Sequence, residues 1–132
     1  MIIKWQAFPI GPGNHKEELH VTLNPKGSIL IGARAFEKFG RPEQAVLLFD
    51  QTNSLIGIQP TNRHAPNAYP LIRQDKSRRG SYRVIRAHRF CRHYAIRVER
   101  TVAFVEPTVD PDGILVLDLK NTRTIGRPRR NN

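Results

Sequence analysis

The sequence contains little cysteine, few acidic residues and no long apolar run. Cys91 is the only cysteine, so no disulfide can form within the chain and an oxidising compartment is not implied. Apolar runs are short, as at 45–49 and 114–117, and this excludes a membrane-spanning helix. The first residues lack the basic start, the apolar stretch and the cleavage site of a secretory signal. We therefore expect a cytoplasmic protein whose fold depends on the burial of apolar side chains.

Basic residues outnumber acidic residues two to one. The chain has 22 Lys and Arg against 11 Asp and Glu, a formal net charge of +11. The excess is concentrated in residues 71–132, which hold 15 basic and six acidic residues. Because such a surplus opposes compaction through self-repulsion, the simplest explanation is a polyanionic partner. Nucleic acid is the expected partner.

The first half has the pattern of a hairpin, a helix and a second hairpin. Apolar and polar residues alternate up to Leu23, and the tetrapeptide at 24–27, Asn-Pro-Lys-Gly, predicts a turn. Ala33, Phe36 and Phe39 share one helical face, after which Gly40-Arg41-Pro42 ends the helix. We predict strands at 19–23, 28–31, 45–49 and 55–58, and a helix at 33–39.

The second half repeats this order. Its helical segment places Ala87, Phe90, Cys91 and Tyr94 on one face, which we expect to be buried. A turn signal at 110–113, Asp-Pro-Asp-Gly, precedes the last strand. We predict strands at 69–74, 81–85, 102–105 and 114–119, and a helix at 87–94. The repeat indicates an internal duplication, although residue identity between the halves is low and a coincidence of pattern is the alternative.

These patterns predict an α+β, β-rich fold made of two strand–helix–strand units. The predicted divisions are an irregular N-terminal arm (1–16), a first unit (17–60), a linker (61–68), a second and basic unit (69–119), and a flexible basic tail (120–132). The linker is assigned because its residues favour turns and have no apolar period.

The segment 21–60 contains Val-Thr, then Lys-Gly-Ser-Ile-Leu-Ile, a short helix, Val-Leu-Leu-Phe-Asp and Ile-Gly-Ile-Gln-Pro. In this order it resembles the swapped-hairpin domain of the AbrB, SpoVT and MazE families of bacterial transition-state regulators and antitoxins. The resemblance implies that two such units exchange hairpins to close a small barrel that binds DNA, here as a pseudo-dimer within one chain. It also implies DNA contacts by Lys26 and Arg34, with pattern counterparts at Arg78, Arg79 and Arg86.

The segment 73–100 is the most basic part of the chain, with ten Lys and Arg against Asp75 and Glu99. On the predicted helix, Arg86, Arg89 and His93 share a face opposite the apolar one. An arginine fork suits phosphate and also guanine edges. The candidate nucleic-acid-binding residues are Lys26, Arg34, Arg73, Lys76, Arg78, Arg79, Arg83, Arg86, Arg89 and Arg92, with Arg129 and Arg130 in the tail. The alternative for the basic segment is a charged face that is only solvated, and the alternative for the tail is a disordered end that binds no partner.

Residue types suited to metal binding or catalysis are not arranged for either. His88, Cys91 and His93 are close in sequence, but on a helix they do not share one face and a fourth ligand is not evident. The segment 11–14, Gly-Pro-Gly-Asn, lacks the ending of a phosphate-binding loop. We expect no catalysis, no metal and no cofactor.

Three functions agree with the sequence. The first is a DNA-binding transcriptional regulator or antitoxin-like repressor, present as a monomeric pseudo-dimer or a homodimer. The second is an RNA-binding module, because Tyr82, Phe90 and Tyr94 alternate with arginines and exposed aromatic rings stack on unpaired bases. The third is a protein-interaction module whose basic half docks an acidic partner, such as a toxin.

Overall fold

The computed structural model describes residues 1–8, 19–62, 65–74 and 82–125. Within these ranges the chain forms eleven short strands and two short helices. In chain order they are β1 (Val21–Leu23), β2 (Ser28–Ile31), α1 (Ala33–Lys38), β3 (Gln44–Asp50), β4 (Leu55–Thr61), β5 (Ala68–Pro70), β6 (Ile72–Gln74), β7 (Tyr82–Arg86), α2 (His88–His93), β8 (Val102–Phe104), β9 (Thr108–Val109), β10 (Leu115–Asp118) and β11 (Thr122–Thr124). In the described part of the chain, neither helix is long and apolar enough to cross a membrane.

The strands form two antiparallel sheets. The first sheet has the order β11-β8-β1-β2-β7-β6, and the second has the order β5-β3-β4-β10-β9. In each sheet, strands from the two halves of the sequence meet near the centre. β2 pairs with β7, where Ile29 lies opposite Ile85, and β4 pairs with β10, where Ile58 lies opposite Leu115. All four side chains are fully buried.

Both sheets and both helices contribute to one buried apolar cluster. The alternation of β2, with Ile29 and Ile31 buried and Ser28 and Leu30 half-buried, places one face of that strand in the core. Helix α1 buries Ala35 and Phe36, and α2 buries Phe90 and Cys91. Each helix therefore presents a narrow apolar stripe to the core and its charged residues to solvent.

The predicted α+β, β-rich class is confirmed, but the predicted closed barrel is wrong. Closure would require hydrogen bonds between the terminal strands of a sheet, whereas the strands of the described ranges form two separate sheets. The chain passes from one sheet to the other within 69–74, which we predicted as one strand. Its first part pairs with β3 and its second part with β7. At the crossing, the Leu71 N–H donates to the Glu43 carbonyl over 3.0 Å.

The predicted arm, linker and tail each lie partly outside the described residues. Residues 1–8 of the arm have no regular structure and are exposed, and the rest of the arm as assigned lies outside the described residues. Residues 122–124, which the sequence placed in the tail, form β11 and pair with β8. Of the linker, 63–64 lie outside the described residues, as do 126–132 of the tail.

Candidate nucleic-acid interface

Helix α2 has a buried side and a basic, exposed side. Phe90 and Cys91 are 7% and 6% exposed, and burial raises the pKa of the Cys91 thiol, so the thiol stays protonated. The remaining helical residues, which are all basic, are exposed: His88, Arg89, Arg92 and His93. Because the helix has only six residues, two adjacent apolar positions anchor it and leave four basic side chains, two arginines and two histidines, facing solvent.

The β1–β2 turn packs directly on the start of α2. The Ala87 N–H donates to the Gly27 carbonyl over 2.9 Å, and a Cβ added at Gly27 would lie 2.9 Å from the His88 Cα. Gly27 has a φ of +83°, a conformation that favours glycine. The turn and the helix therefore touch backbone to backbone, and the exposed Lys26 of the first half lies beside the basic helix of the second half.

A groove of about 650 Å³ runs between this turn, α2 and the loop that follows the helix. Its basic lining residues are Lys26, His88, Arg92 and Arg97, and Glu99 is its one acidic lining residue. Leu23, Cys91, Ile96 and Val98 supply apolar surface. Cations from three segments of the chain thus line one concave surface, an arrangement that favours an anionic ligand.

A tight reversal after α2 brings the loop against the helix. Ala95 has a φ of +53°, its N–H donates to the Arg92 carbonyl over 3.3 Å, and the Ile96 N–H donates to the Cys91 carbonyl over 2.8 Å. These bonds satisfy carbonyls at the helix end, as in other helix C-caps with a left-handed residue. The reversal places Arg97 on the groove.

Tyr94, which we predicted to be buried, is 41% exposed, and that prediction is wrong. The helix ends at His93, so Tyr94 lies at its C-cap and not on the continued apolar face. Its ring contacts three others: the centroid distances are 4.7 Å to Phe49, 5.2 Å to Phe90 and 4.7 Å to His93. Tyr94 is therefore a partly exposed ring that packs on Phe49 and Phe90 and contacts the His93 ring.

The structure gathers some of the candidate cations and separates others. Lys26, Arg89 and Arg92 lie at the α2 surface as described, but Arg86 does not share the helix with Arg89 and His93, because it ends strand β7 opposite Ser28. It is exposed and two residues before the helix. Arg34 lies on α1, where it lines a separate depression with Glu37 and Lys38.

Arg83 is directed toward the core and not toward solvent. It lies opposite Ile31, whose side chain is fully buried, so both face the same side of the first sheet. Its guanidinium carbon is 4.2 Å from the centroid of the Phe36 ring, a cation–π contact. Its Nη1 is buried without a hydrogen-bond partner in the described part of the chain. The neighbouring Arg73 lies opposite Arg83 on β6 and is exposed.

The remaining candidates, Lys76, Arg78, Arg79, Arg129 and Arg130, lie outside the described residues. Sequence reasoning did not include His88 or Arg97 among the candidate nucleic-acid-binding residues, and it named Tyr94 only for the RNA-binding alternative. Arg97 was visible within the basic segment, but only the reversal at Ala95 brings it to the groove.

The cations around α2 are not neutralised by carboxylates of the described ranges. The ion pairs seen there join Arg41 to Glu37 and Lys120 to Asp118, both at 2.9 Å and both away from α2. Among the same residues, no three His, Cys, Asp or Glu side chains come together as a metal site would require. The geometry thus offers a basic surface that can bind anions and whose side chains form no ion pair with a carboxylate of the described residues.

Comparisons of the chain with protein-family models, curated proteins and solved structures found no match.

Proposed function

We propose that this protein binds nucleic acid through the α2 basic surface, defined as Lys26, Arg86, His88, Arg89, Arg92 and Arg97. The observation that carries the proposal is that these exposed basic residues come from the β1–β2 turn, the end of β7, α2 and the following loop, yet meet around one short helix. Phosphates spaced along a strand suit such a surface, because each arginine can donate two parallel hydrogen bonds to a phosphate.

The expected ligand form is duplex DNA, and the expected role is that of a transcriptional regulator or antitoxin-like repressor in the cytoplasm. Both come from the resemblance of 21–60 to the AbrB, SpoVT and MazE domain. The pairing of β2 with β7 and of β4 with β10 supports this proposal, because two copies of one hairpin–helix–hairpin unit would pair equivalent strands across a two-fold axis. We propose that the chain is such a pseudo-dimer.

Salt dependence of binding tests the proposal. If six to eight phosphates are engaged, log K should fall with log salt with a slope of about −5 to −7 for duplex DNA. The measurement is fluorescence anisotropy of a labelled duplex titrated at several salt concentrations. Binding that is undetectable, or independent of salt, would contradict the proposal.

A matched pair of double variants locates the surface. Arg89→Gln with Arg92→Gln removes two charges from the α2 basic surface, and Arg41→Gln with Arg123→Gln removes two exposed charges elsewhere. The first pair should weaken binding and make the slope shallower by about 2, since each lost phosphate contact removes about 0.9. The second pair should leave the slope nearly unchanged. Equal losses in both would mean that binding follows net charge and not this surface.

A further inference from the structure

Tyr94 combines exposure with rigid support. Within the described residues, the other strongly exposed aromatic rings are Trp5 and Phe8, both in the N-terminal arm. The Tyr94 ring packs at 42° to Phe49, at 66° to Phe90 and at 88° to His93. Phe49 and Phe90, which are half-buried and buried, hold the ring from the protein side, His93 is itself exposed, and 41% of Tyr94 stays open to solvent.

The support continues into the core. Phe90 is buried, Phe49 is half-buried, and their rings meet edge to face with centroids 6.1 Å apart. A ring held by such a cluster loses little conformational freedom when a flat ligand stacks on it, which favours binding.

The charge around Tyr94 suits a nucleotide. Arg92 and His93 precede it, and the left-handed Ala95 turns the chain so that Arg97 follows on the groove. Tyr94 itself does not line the groove, but a base on its ring would lie next to the exposed Arg92 and His93, and the His93 ring contacts the Tyr94 ring. Proteins that bind single strands combine aromatic stacking with such a basic path in the same way.

We infer that Tyr94 stacks on an unpaired base, so that the segment bound at the α2 basic surface is single-stranded. The inference rests on the proposed nucleic-acid binding, but it replaces the duplex DNA that the resemblance implies with a strand that has an unpaired base at this surface. In a duplex, neighbouring bases cover both faces of each base, and the ring would find no face to stack on. An unpaired base in DNA or RNA offers the same flat surface.

Two substitutions at Tyr94 test the inference. Tyr94→Leu keeps an apolar side chain against Phe49 and Phe90 but removes the aromatic face, whereas Tyr94→Phe keeps the ring and removes the hydroxyl. The ligands are single-stranded oligothymidine, oligouridine of the same length, and the oligothymidine–oligoadenosine duplex. Tyr94→Leu should weaken single-strand binding at least about 5-fold, the lower limit for loss of one base–aromatic stack, and Tyr94→Phe should restore it. Duplex binding should change less than about 2-fold, because phosphate contacts alone remain.

A spectroscopic signal reports the stack directly. An oligothymidine with one 2-aminopurine should lose fluorescence when the base stacks on Tyr94, and the quenching should disappear in Tyr94→Leu and persist in Tyr94→Phe. Far-ultraviolet circular dichroism and thermal unfolding check that both variants fold. Equal affinities of the two variants for single strands, without a difference in quenching, would overturn the inference.

The outcomes separate this inference from the proposed function. If Tyr94→Leu binds like the unchanged protein while the Arg89 and Arg92 double variant loses affinity, stacking is refuted and the basic surface stands. If neither change affects binding, or no oligonucleotide binds at low salt, both proposals fall. A loss with oligouridine alone, or with oligothymidine alone, supports stacking and assigns the ligand to RNA or to DNA.

Discussion

Gly27 is the residue on which the assembly of the basic surface depends most. Its φ of +83° costs an L-residue free energy, and its Cα side faces the backbone of His88 so closely that a Cβ has no room. The contact joins the turn that carries Lys26 to the helix that carries Arg89 and Arg92. The backbone contact at Gly27 thus holds the turn of the first half against the helix of the second half.

Gly27→Ala should destabilise the fold more than an alanine at another left-handed glycine. Gly113 has a φ of +81° with no atom within 4 Å of an added Cβ, so Gly113→Ala should cost only the backbone strain, about 1–2 kcal/mol. Gly27→Ala adds overpacking against α2, about 1–3 kcal/mol more. Urea unfolding followed by circular dichroism measures both. Equal costs at the two positions would show that the turn does not press on the helix.

Arg83 shows at the same scale why residue type alone does not identify a binding residue. In the sequence it is one of ten cations in a basic segment. In the structure, its strand position opposite Ile31 directs it to the core side, over the Phe36 ring. Because side chains along β7 point alternately to its two faces, Arg83 faces the core side and Arg86 faces solvent. Which arginine is covered depends on which face of the strand packs against the rest of the protein.

At the scale of elements, two turns are held by the same kind of side-chain-to-backbone hydrogen bond. The Asn24 Oδ1 accepts hydrogen bonds from the backbone N–H groups of Lys26 and Ser28, at 3.0 and 2.9 Å. The Asp110 Oδ1 accepts them from Asp112 and Ile114, both at 2.9 Å. Each side-chain oxygen thus accepts hydrogen bonds from backbone N–H groups of its own turn, as Asn and Asp side chains commonly do in turns. Only the first turn packs on α2.

Asn24→Ala and Asp110→Ala should therefore have similar effects on stability and different effects on binding. Each removes two side-chain-to-backbone hydrogen bonds and should cost about 1–2 kcal/mol of unfolding free energy. Asn24→Ala frees Lys26 from its position, so the salt slope should become shallower by about 1. Asp110→Ala removes a negative charge and should not weaken binding. Anisotropy titrations beside urea unfolding check both expectations, and a shallower slope for Asp110→Ala would contradict them.

The elements themselves were largely predictable from local pattern. Both helices and the strands of the first half were expected within a few residues of their bounds, because apolar spacing and turn residues act locally. The end of α2 was not expected: the pattern continued the helix to Tyr94, whereas the left-handed Ala95 ends it earlier. An alanine gives no local signal of a positive φ, so the exposure of Tyr94 could not be read from the sequence.

At the scale of the whole molecule, the two halves share one core. Each sheet contains strands from both halves, and the buried cluster includes Ile29 and Ile85 as direct partners. Neither half therefore buries its apolar face alone.

Unfolding should consequently be a single cooperative transition. The backbone signal in far-ultraviolet circular dichroism and the aromatic signal in near-ultraviolet circular dichroism, which reports on the ring cluster around Tyr94, should change at the same urea concentration. Trp5 lies in the exposed arm and is unsuitable as a probe. Two separate transitions would indicate that the halves fold independently.

The sequence by itself determined the excess of basic charge, the β-rich class and the order of most elements, because composition and local apolar period carry that information. Tertiary structure decided which strands pair, that residues 69–74 divide between two sheets, that Arg83 faces the core, and that Lys26 meets α2. These outcomes depend on pairing between segments far apart in the chain. Local sequence allows several such pairings, and the one that buries the most apolar surface is the most stable.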